Sequence, residues 1–278
     1  MNSFASFFSR RTALSAMTAA IGLALLPSAQ AQSESVLAKV KARGVLRVAN
    51  TQASPPWSLL DANNKAAGYD VDVAHELARR IGIPSVEFTA DTFKNFVEAL
   101  KVDKYDMVIS NLTPTPERKL QIDFSNPYIA VGLQTFVRSN NDAIKSKADL
   151  VSKRIGVSAG TTNEKWVREN VPTAEVRTYE NSILALTDLS FGRIDAAIFS
   201  RFIGVTIAEK NGLKIKPVGD ALNLEFNAMG FKKGQSDLQN AANKAIADMI
   251  ADGTLLKISQ KWLGGYDIPA ALSMAPKN

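Results

Sequence analysis

The sequence predicts an α/β protein built from two similar halves, on three observations. Short apolar runs of strand length alternate with longer segments whose apolar residues recur at helical spacing. The strand, helix, strand pattern occurs twice, and each occurrence is followed by an extended stretch, at residues 133–138 and again at 224–231. The composition, 46% hydrophobic and 22% charged over 278 residues, is that of a chain with a full core.

Before the first half comes a leader. Arg10 and Arg11 precede an apolar stretch at 13–26, then Pro27 and the small-x-small triplet Ala29-Gln30-Ala31. This pattern predicts a secretory signal peptide over residues 1–31, cut after Ala31, and an exported product. Fourteen apolar residues are too few for a spanning helix, which needs about 20. Ser9-Arg10-Arg11-Thr12-Ala13-Leu14 is similar to a twin-arginine signal, with Ala13 in place of Phe and Ser15 in place of Lys, so the general secretory and twin-arginine routes both stay open. Zero cysteines exclude a lipid anchor, a disulfide framework, and a thiolate metal site or nucleophile. The 247 residues left after cleavage suffice for two lobes. The formal charge of +6 falls to +4 without the two leader arginines. Lys and Arg are scattered among acids along the helices, which argues against nucleic acid as a partner.

In the first half, Val45–Asn50 reads as a strand. Asp70-Val71-Asp72 opens a helix with Val71, Val73, Ala74, Leu77, Ala78 and Ile81 on one arc and Asp72, His75, Glu76, Arg79 and Arg80 opposite; Gly82 closes it. Residues 86–89 predict a second strand, 93–101 a second helix and 107–110 a third strand. The second half repeats the order with strands at 154–157, Glu175–Tyr179, 196–199 and 214–218. A helix follows the turn at 160–164, where Thr161 and Glu164 stand at capping-box spacing, and another runs over 182–191. Helices at Ser236–Ala251 and Thr254–Trp262, split by Asp252-Gly253, end the chain, and the tail at 266–278 is expected to be flexible.

The most informative segment is 110–128, SNLTPTPERKLQIDFSNPY. Thr115, Pro116 and Glu117 read as N-cap, N1 and N2 of a helix, which puts Arg118 at N3. Helix-start amides and a guanidinium would then share a corner suited to a carboxylate, lined by Ser110, Asn111 and Thr113. On the residues alone, Arg118 could equally pair with Asp123 or Glu117. The run Thr113-Pro114-Thr115-Pro116-Glu117-Arg118, followed by Asp123-Phe124-Ser125-Asn126-Pro127-Tyr128, resembles the signature of the periplasmic solute-binding proteins of family 3, the polar amino acid type, and further similar pieces extend from Val45 to Gly264.

That resemblance implies a two-lobed periplasmic-binding-protein fold, each lobe a mostly parallel sheet flanked by helices, joined by two extended hinge strands. Lobe one would comprise 32–135 and 227–265 and lobe two 136–226, with a ligand cleft between them. It implies the solute-binding component of an ABC importer, capturing a small carboxylate, an amino acid or an amino-acid-like solute, for an inner-membrane permease and its ATPase. No cofactor is expected, and a monomer is. Residue by residue, the resemblance assigns Phe93 as an aromatic wall, Arg118 as the carboxylate clamp, and Ser110, Asn111 and Thr113 as first-lobe contacts. It assigns Thr161 and Thr162 to the other side of the carboxylate, and Ser158 to side-chain preference.

Three positions depart from the family pattern. Ser200 stands where an acid usually holds the ligand's α-ammonium, and near the first strand Thr51 and Ser54 replace a frequent Asp and a stacking aromatic, with Trp57 able to compensate for the latter. A desolvated ammonium without a counter-charge costs several kcal/mol. The ligand is therefore either a carboxylate without an amino group or an amine held by another acid, for which Glu225 and Asp91 are the candidates. For catalysis, the single histidine, His75, lies on the polar arc of a helix, and Gly-rich phosphate loops are absent. Two alternatives to transport remain: a lyase similar to cyclohexadienyl dehydratases, whose Gly-Thr-Asn-Glu-Lys turn is resembled by residues 160–165, and a binding protein that serves a sensor.

Overall fold

The nine-stranded sheet at the centre of the molecule is parallel at both ends and antiparallel in the middle. The computed structural model describes residues 35–275, so the leader predicted at 1–31 lies outside the described residues. Helix α1 (Val36–Arg43), capped by Ser35, turns at Gly44 into β1 (Val45–Asn50). A small three-stranded sheet of β2 (Ala53–Ser54), β3 (Ser58–Leu60) and β4 (Ala66–Ala67) leads to α2 (Tyr69–Arg80). Then come β5 (Ser85–Ala90), a 3₁₀ turn at Phe93–Asn95, α3 (Phe96–Lys101), β6 (Met107–Leu112), the single-turn helix α4 (Pro116–Lys119) and the 17-residue strand β7 (Ile122–Arg138). The second half contributes β8 (Arg154–Ser158), α5 (Thr162–Asn170), β9 (Glu175–Tyr179), α6 (Ser182–Ser190), β10 (Ala196–Ser200), α7 (Arg201–Asn211) and β11 (Ile215–Val218). The chain returns through β12 (Leu224–Lys232) and ends with α8 (Ser236–Ala251), α9 (Thr254–Trp262) and α10 (Ile268–Leu272).

The strand order is β5-β1-β6-β12-β7-β10-β8-β9, with β11 added on β7. β5, β1 and β6 are mutually parallel, as are β10, β8 and β9. Between them β12 and β7 pair antiparallel. The first part of β7, through Gly132, pairs with β12, and its last part, from Leu133, pairs with β10 and β11, so one strand serves both ends.

Each half has its own core. Around β1 and β6, the face of α2 predicted from its periodicity is buried, with Val73, Ala74 and Leu77 against Leu46, Val48 and Phe231, while His75 lies exposed on the other side. The second half packs Val157, Ile198 and Val167 on one face of its strands and Phe136, Leu186 and Leu189 on the other. Helix α7 lies between the halves, since Ile203 packs against both cores. The two halves share a construction detail at the amino ends of their strands. Asp106 accepts the backbone N–H of Arg47 at 2.8 Å and its guanidinium at 2.8 Å, and Asp195 does the same for Arg154 at 3.0 and 2.7 Å.

Several elements differ from the sequence expectation, among them β7, which begins at Ile122 and not at Leu133. The helix expected at 93–101 is a 3₁₀ turn followed by α3. Helix α7 was not signalled, because Ile203, Val205, Thr206 and Ile207 favour a strand and Gly204 weakens a helix. Packing decides it: a Cβ at Gly204 would sit 2.1 Å from the ring of Phe136, so the helix lies directly on β7. Where the tail was expected to be flexible, Asp267 caps α10 by accepting from the Ala270 N–H, and Ile268 and Ala271 are buried against the body. Residues 276–278 of that tail lie outside the described residues.

Candidate functional site

The carboxyl ends of the parallel strands from both halves open onto one cavity, where an open α/β sheet places its ligands. Four of the lining residues occupy matched positions. Thr51 follows Arg47 of β1 as Ser158 follows Arg154 of β8, and Asn111 follows Asp106 as Ser200 follows Asp195.

The second half presents helix N-termini. Thr161, Asn181 and Ser200 are the N-caps of α5, α6 and α7, and their side-chain oxygens accept the backbone N–H groups of Glu164, Leu184 and Ile203 at 3.3, 3.1 and 3.4 Å. All three line the cavity. The remaining first-turn amides and the positive ends of three helix dipoles therefore face the same space and favour negative charge there. The Thr161 cap follows the predicted spacing, although the Glu164 carboxylate reaches the N–H of Gly160 rather than that of Thr161.

The first half presents amide, hydroxyl and aromatic groups. Ser110 and Asn111 end β6 at the cavity, and Phe93 and Trp57 supply its aromatic wall. Asn111 holds a φ of 52°, and its N–H donates to the hydroxyl of Tyr128 at 3.2 Å. That hydroxyl donates to Asp70 at 2.8 Å, while the Tyr69 hydroxyl donates to the carbonyl of Tyr128. Burial pushes the Asp70 carboxyl well above the usual carboxylate range, against the pull of the Tyr128 bond. Trp57 is fixed from behind by edge contacts to Tyr69 and Phe202, with ring centroids 5.5 and 5.7 Å away. Gly68 makes this possible, because at φ 127° a Cβ would lie 2.2 Å from the Trp57 carbonyl oxygen.

Arg118 and Thr113 stand at the edge of this cavity rather than among the residues that line it. Thr115 caps α4 and accepts the Arg118 N–H, with Pro116 in the first turn, as the sequence indicated, but α4 is a single turn with little dipole. The Arg118 guanidinium donates to the Thr113 carbonyl at 2.8 Å and, across the halves, to the Gly160 carbonyl at 2.8 Å, and it lies over the Phe93 ring at 5.3 Å. Neither Asp123 nor Glu117 engages it: Asp123 pairs with Lys233 and Glu117 with Lys165. Burial lowers the Arg118 pKa to about 10, partly offset by the negative charge of Glu225.

Glu225 is the acid of the pair raised by sequence reasoning that reaches the cavity. Its Oε2 accepts from the hydroxyls of Thr113 at 3.0 Å and Thr162 at 2.9 Å, joining a residue of each half. Asp91 is engaged elsewhere, by Lys104, Asn95 and the N–H of Thr92. Sequence reasoning passed over Asn181 and Asn227. Asn181 carried a readable signal as the polar residue before an apolar helical run; Asn227 lies within β12, between β6 and β7, where no local pattern marks it.

The chain as a whole is similar to known proteins. The sequence model of the bacterial extracellular solute-binding proteins, family 3, matches residues 46–265. The L-cystine-binding protein TcyJ of Escherichia coli (strain K12) is 36% identical over 232 residues, which cover 83% of this chain and 87% of that protein. Among solved structures, an ancestral arginine-binding protein bound to arginine superimposes with a TM-score of 0.76 at 36% identity, over 80% of this chain and 99% of its own. An ancestral amino acid-binding protein described as a precursor of cyclohexadienyl dehydratase gives 0.75 at 35%, over 82% and 99%.

Proposed function

The chain belongs to the bacterial extracellular solute-binding proteins of family 3, and we propose from that premise that it captures a small carboxylate solute, an amino acid or a close relative of one, for an inner-membrane ABC permease and its ATPase. Its two halves are read as lobes, 32–135 with 227–265 and 136–226, that close over the solute about the paired strands β7 and β12. The observation that carries this reading is the convergence of three capped helix N-termini on a cavity whose other wall is Ser110, Asn111, Phe93 and Trp57. A carboxylate held at those N-termini and covered by the aromatic wall would be withdrawn from water on both sides. Arg118 serves this as the clasp between the lobes, its guanidinium bridging Thr113 and Gly160. The product of export through the 1–31 leader is read as a periplasmic monomer, without nucleic acid as a partner. Relatives named as binding proteins support a binder over a lyase, and release of carbon dioxide from prephenate by the mature protein would overturn that choice.

The test is calorimetric titration of the mature protein with L-cystine, L-arginine, L-histidine and L-glutamine. At least one is expected to bind with Kd below about 10 μM, which corresponds to roughly 7 kcal/mol, and to shift the emission of Trp57 in the cavity wall. A protein that binds none of the four and co-purifies with no solute would sink the reading.

A further inference from the structure

We propose that Glu225, together with the side-chain oxygens of Asn111 and Asn227, forms a subsite for a positively charged nitrogen of the solute, doing from β12 what a neutral Ser200 cannot. The proposal rests on the reading of the cavity as a solute site. Its first support is the charge of the lining: the ionisable groups there are Glu180 and Glu225, both acids, and no Lys, Arg or His lines it among the described residues. Glu180 is exposed, whereas Glu225 is half-buried. Two residues apart on β12, Glu225 and Asn227 point to the same face of the sheet.

The second support is a set of acceptors that lack donors. The Asn227 Nδ2 donates to the Asn111 carbonyl at 2.6 Å, which fixes the amide orientation, since the flipped amide would set two oxygens against each other. That leaves the Asn227 Oδ1 buried without a partner, in a residue 3% exposed, and the Oδ1 of Asn111, which lines the same cavity, is buried and unpartnered too. Native structures rarely leave such atoms unsatisfied. Glu225 also has capacity to spare: a carboxylate offers about four acceptor sites, and the nearest donors here are the Thr113 and Thr162 hydroxyls and a long 3.3 Å contact from Asn223. Neutral hydroxyls do not cancel its charge. Arg118 lies near enough to feel that charge, yet both of its hydrogen bonds go to carbonyls. An ammonium carries three donors and one positive charge, matching three acceptors of which one is negative. The helix N-termini of the opposite wall repel a cation, so the solute is oriented with its nitrogen towards β12 and its carboxylate towards Thr161 and Asn181.

Glu225→Gln tests this while keeping an acceptor for the two threonine hydroxyls. Parent and variant are titrated with L-cystine, L-arginine, L-histidine, L-glutamine and their N-acetyl derivatives, which keep the carboxylate and lose the α-ammonium, and any solute released by denaturing the freshly purified parent is identified by mass spectrometry. The free amino acid that binds the parent is expected to bind Glu225→Gln at least tenfold more weakly, Glu225→Asp to recover part of the loss, and the released solute to contain a protonated nitrogen. Equal affinity of parent and Glu225→Gln, or a released solute without such a nitrogen, overturns the subsite while solute capture stands. A parent that binds nothing and releases nothing overturns both. Unfolding midpoints of the two variants within about a degree of the parent show that the fold is intact.

Discussion

The two halves of the molecule are alike where they are built and different where they act. At the amino ends of their strands each ties an arginine to an aspartate by backbone and guanidinium together, Arg47 to Asp106 and Arg154 to Asp195. A few residues on, at the carboxyl ends, they diverge. The first half offers an amide, Asn111, held in a left-handed conformation by a buried Tyr128–Asp70 pair, and the second offers helix N-caps. The construction is repeated because it solves the same problem twice, joining parallel strands through a crossover. The chemistry is not repeated, which is what the proposed capture of a solute with two unlike ends requires.

The largest effect expected from breaking this comparison is at the clamps. Asp106 is 5% exposed and engages Arg43 as well as Arg47, so Asp106→Ala leaves two guanidiniums without their counter-charge, with only carbonyls to donate to, and a strand N–H without its acceptor, and should cost about 3–5 kcal/mol. Asp195 is 26% exposed and holds one arginine, so Asp195→Ala should cost only about 1–2 kcal/mol. Urea unfolding of both variants gives the ratio; equal losses would show that the repeated geometry, and not burial, sets the cost.

Arg118 comes next, as the group that joins the halves instead of belonging to one. Arg118→Ala removes two charge-assisted bonds and a ring contact, and solute affinity should fall about 30- to 100-fold, or roughly 2–3 kcal/mol. Arg118→Lys should recover little, because an ammonium cannot span the Thr113 and Gly160 carbonyls as a planar guanidinium does. Titration with the solute that binds the parent decides this; full affinity in Arg118→Lys would reduce the residue to a point charge.

Much of this architecture can be read in the sequence, and what cannot has physical reasons. The buried arc of α2 and the caps at Thr115 and Thr161 are local, and periodicity and capping chemistry disclose them. Strand β7 hides because Asn126 and Pro127 read as a turn inside it; the ladder with β12 accommodates them by shifting register where Ala228 meets Pro127. Helix α7 hides because its propensity contradicts its packing on Phe136. At the site, Ser110, Asn111 and Thr161 follow from strand ends and helix starts, and Ser200 from the family resemblance. The meeting of Glu225 with Thr113 and Thr162 joins residues far apart in sequence, and no local pattern encodes it.

Acid titration sharpens the same contrast with a sign. The Arg154 side chain pulls Asp195 down to about 2, below its ordinary 3.8, so its contribution is complete above about pH 4 and disappears as pH falls towards 2. Asp195→Asn should flatten that loss, worth on the order of 1 kcal/mol for a partly exposed pair. Asp70 has the opposite sign: burial raises it, the folded state holds its proton more tightly, and stability falls as pH rises from about 4 towards the raised value. Asp70→Asn should therefore gain on the parent as pH increases, as judged by urea midpoints from pH 3 to 8. A gap that does not change with pH would mean that Asp70 is charged in both states.

The smallest effect is the most discriminating, since it moves one charge from half to half. Ser200→Asp keeps a competent N-cap on α7, so the fold should change by less than about 0.5 kcal/mol, while an acid returns to the cavity wall of the second half. In the parent background the gain for a free amino acid should be at most about tenfold, because Glu225 already supplies a negative charge. In the Glu225→Gln background the same substitution should restore most of the lost affinity, because a solute nitrogen needs one counter-charge and either wall can provide it. If Ser200→Asp helps equally in both backgrounds, the two acids act on different parts of the solute; if it helps in neither, the α7 cap does not face the nitrogen, and Glu225 alone decides which solutes enter.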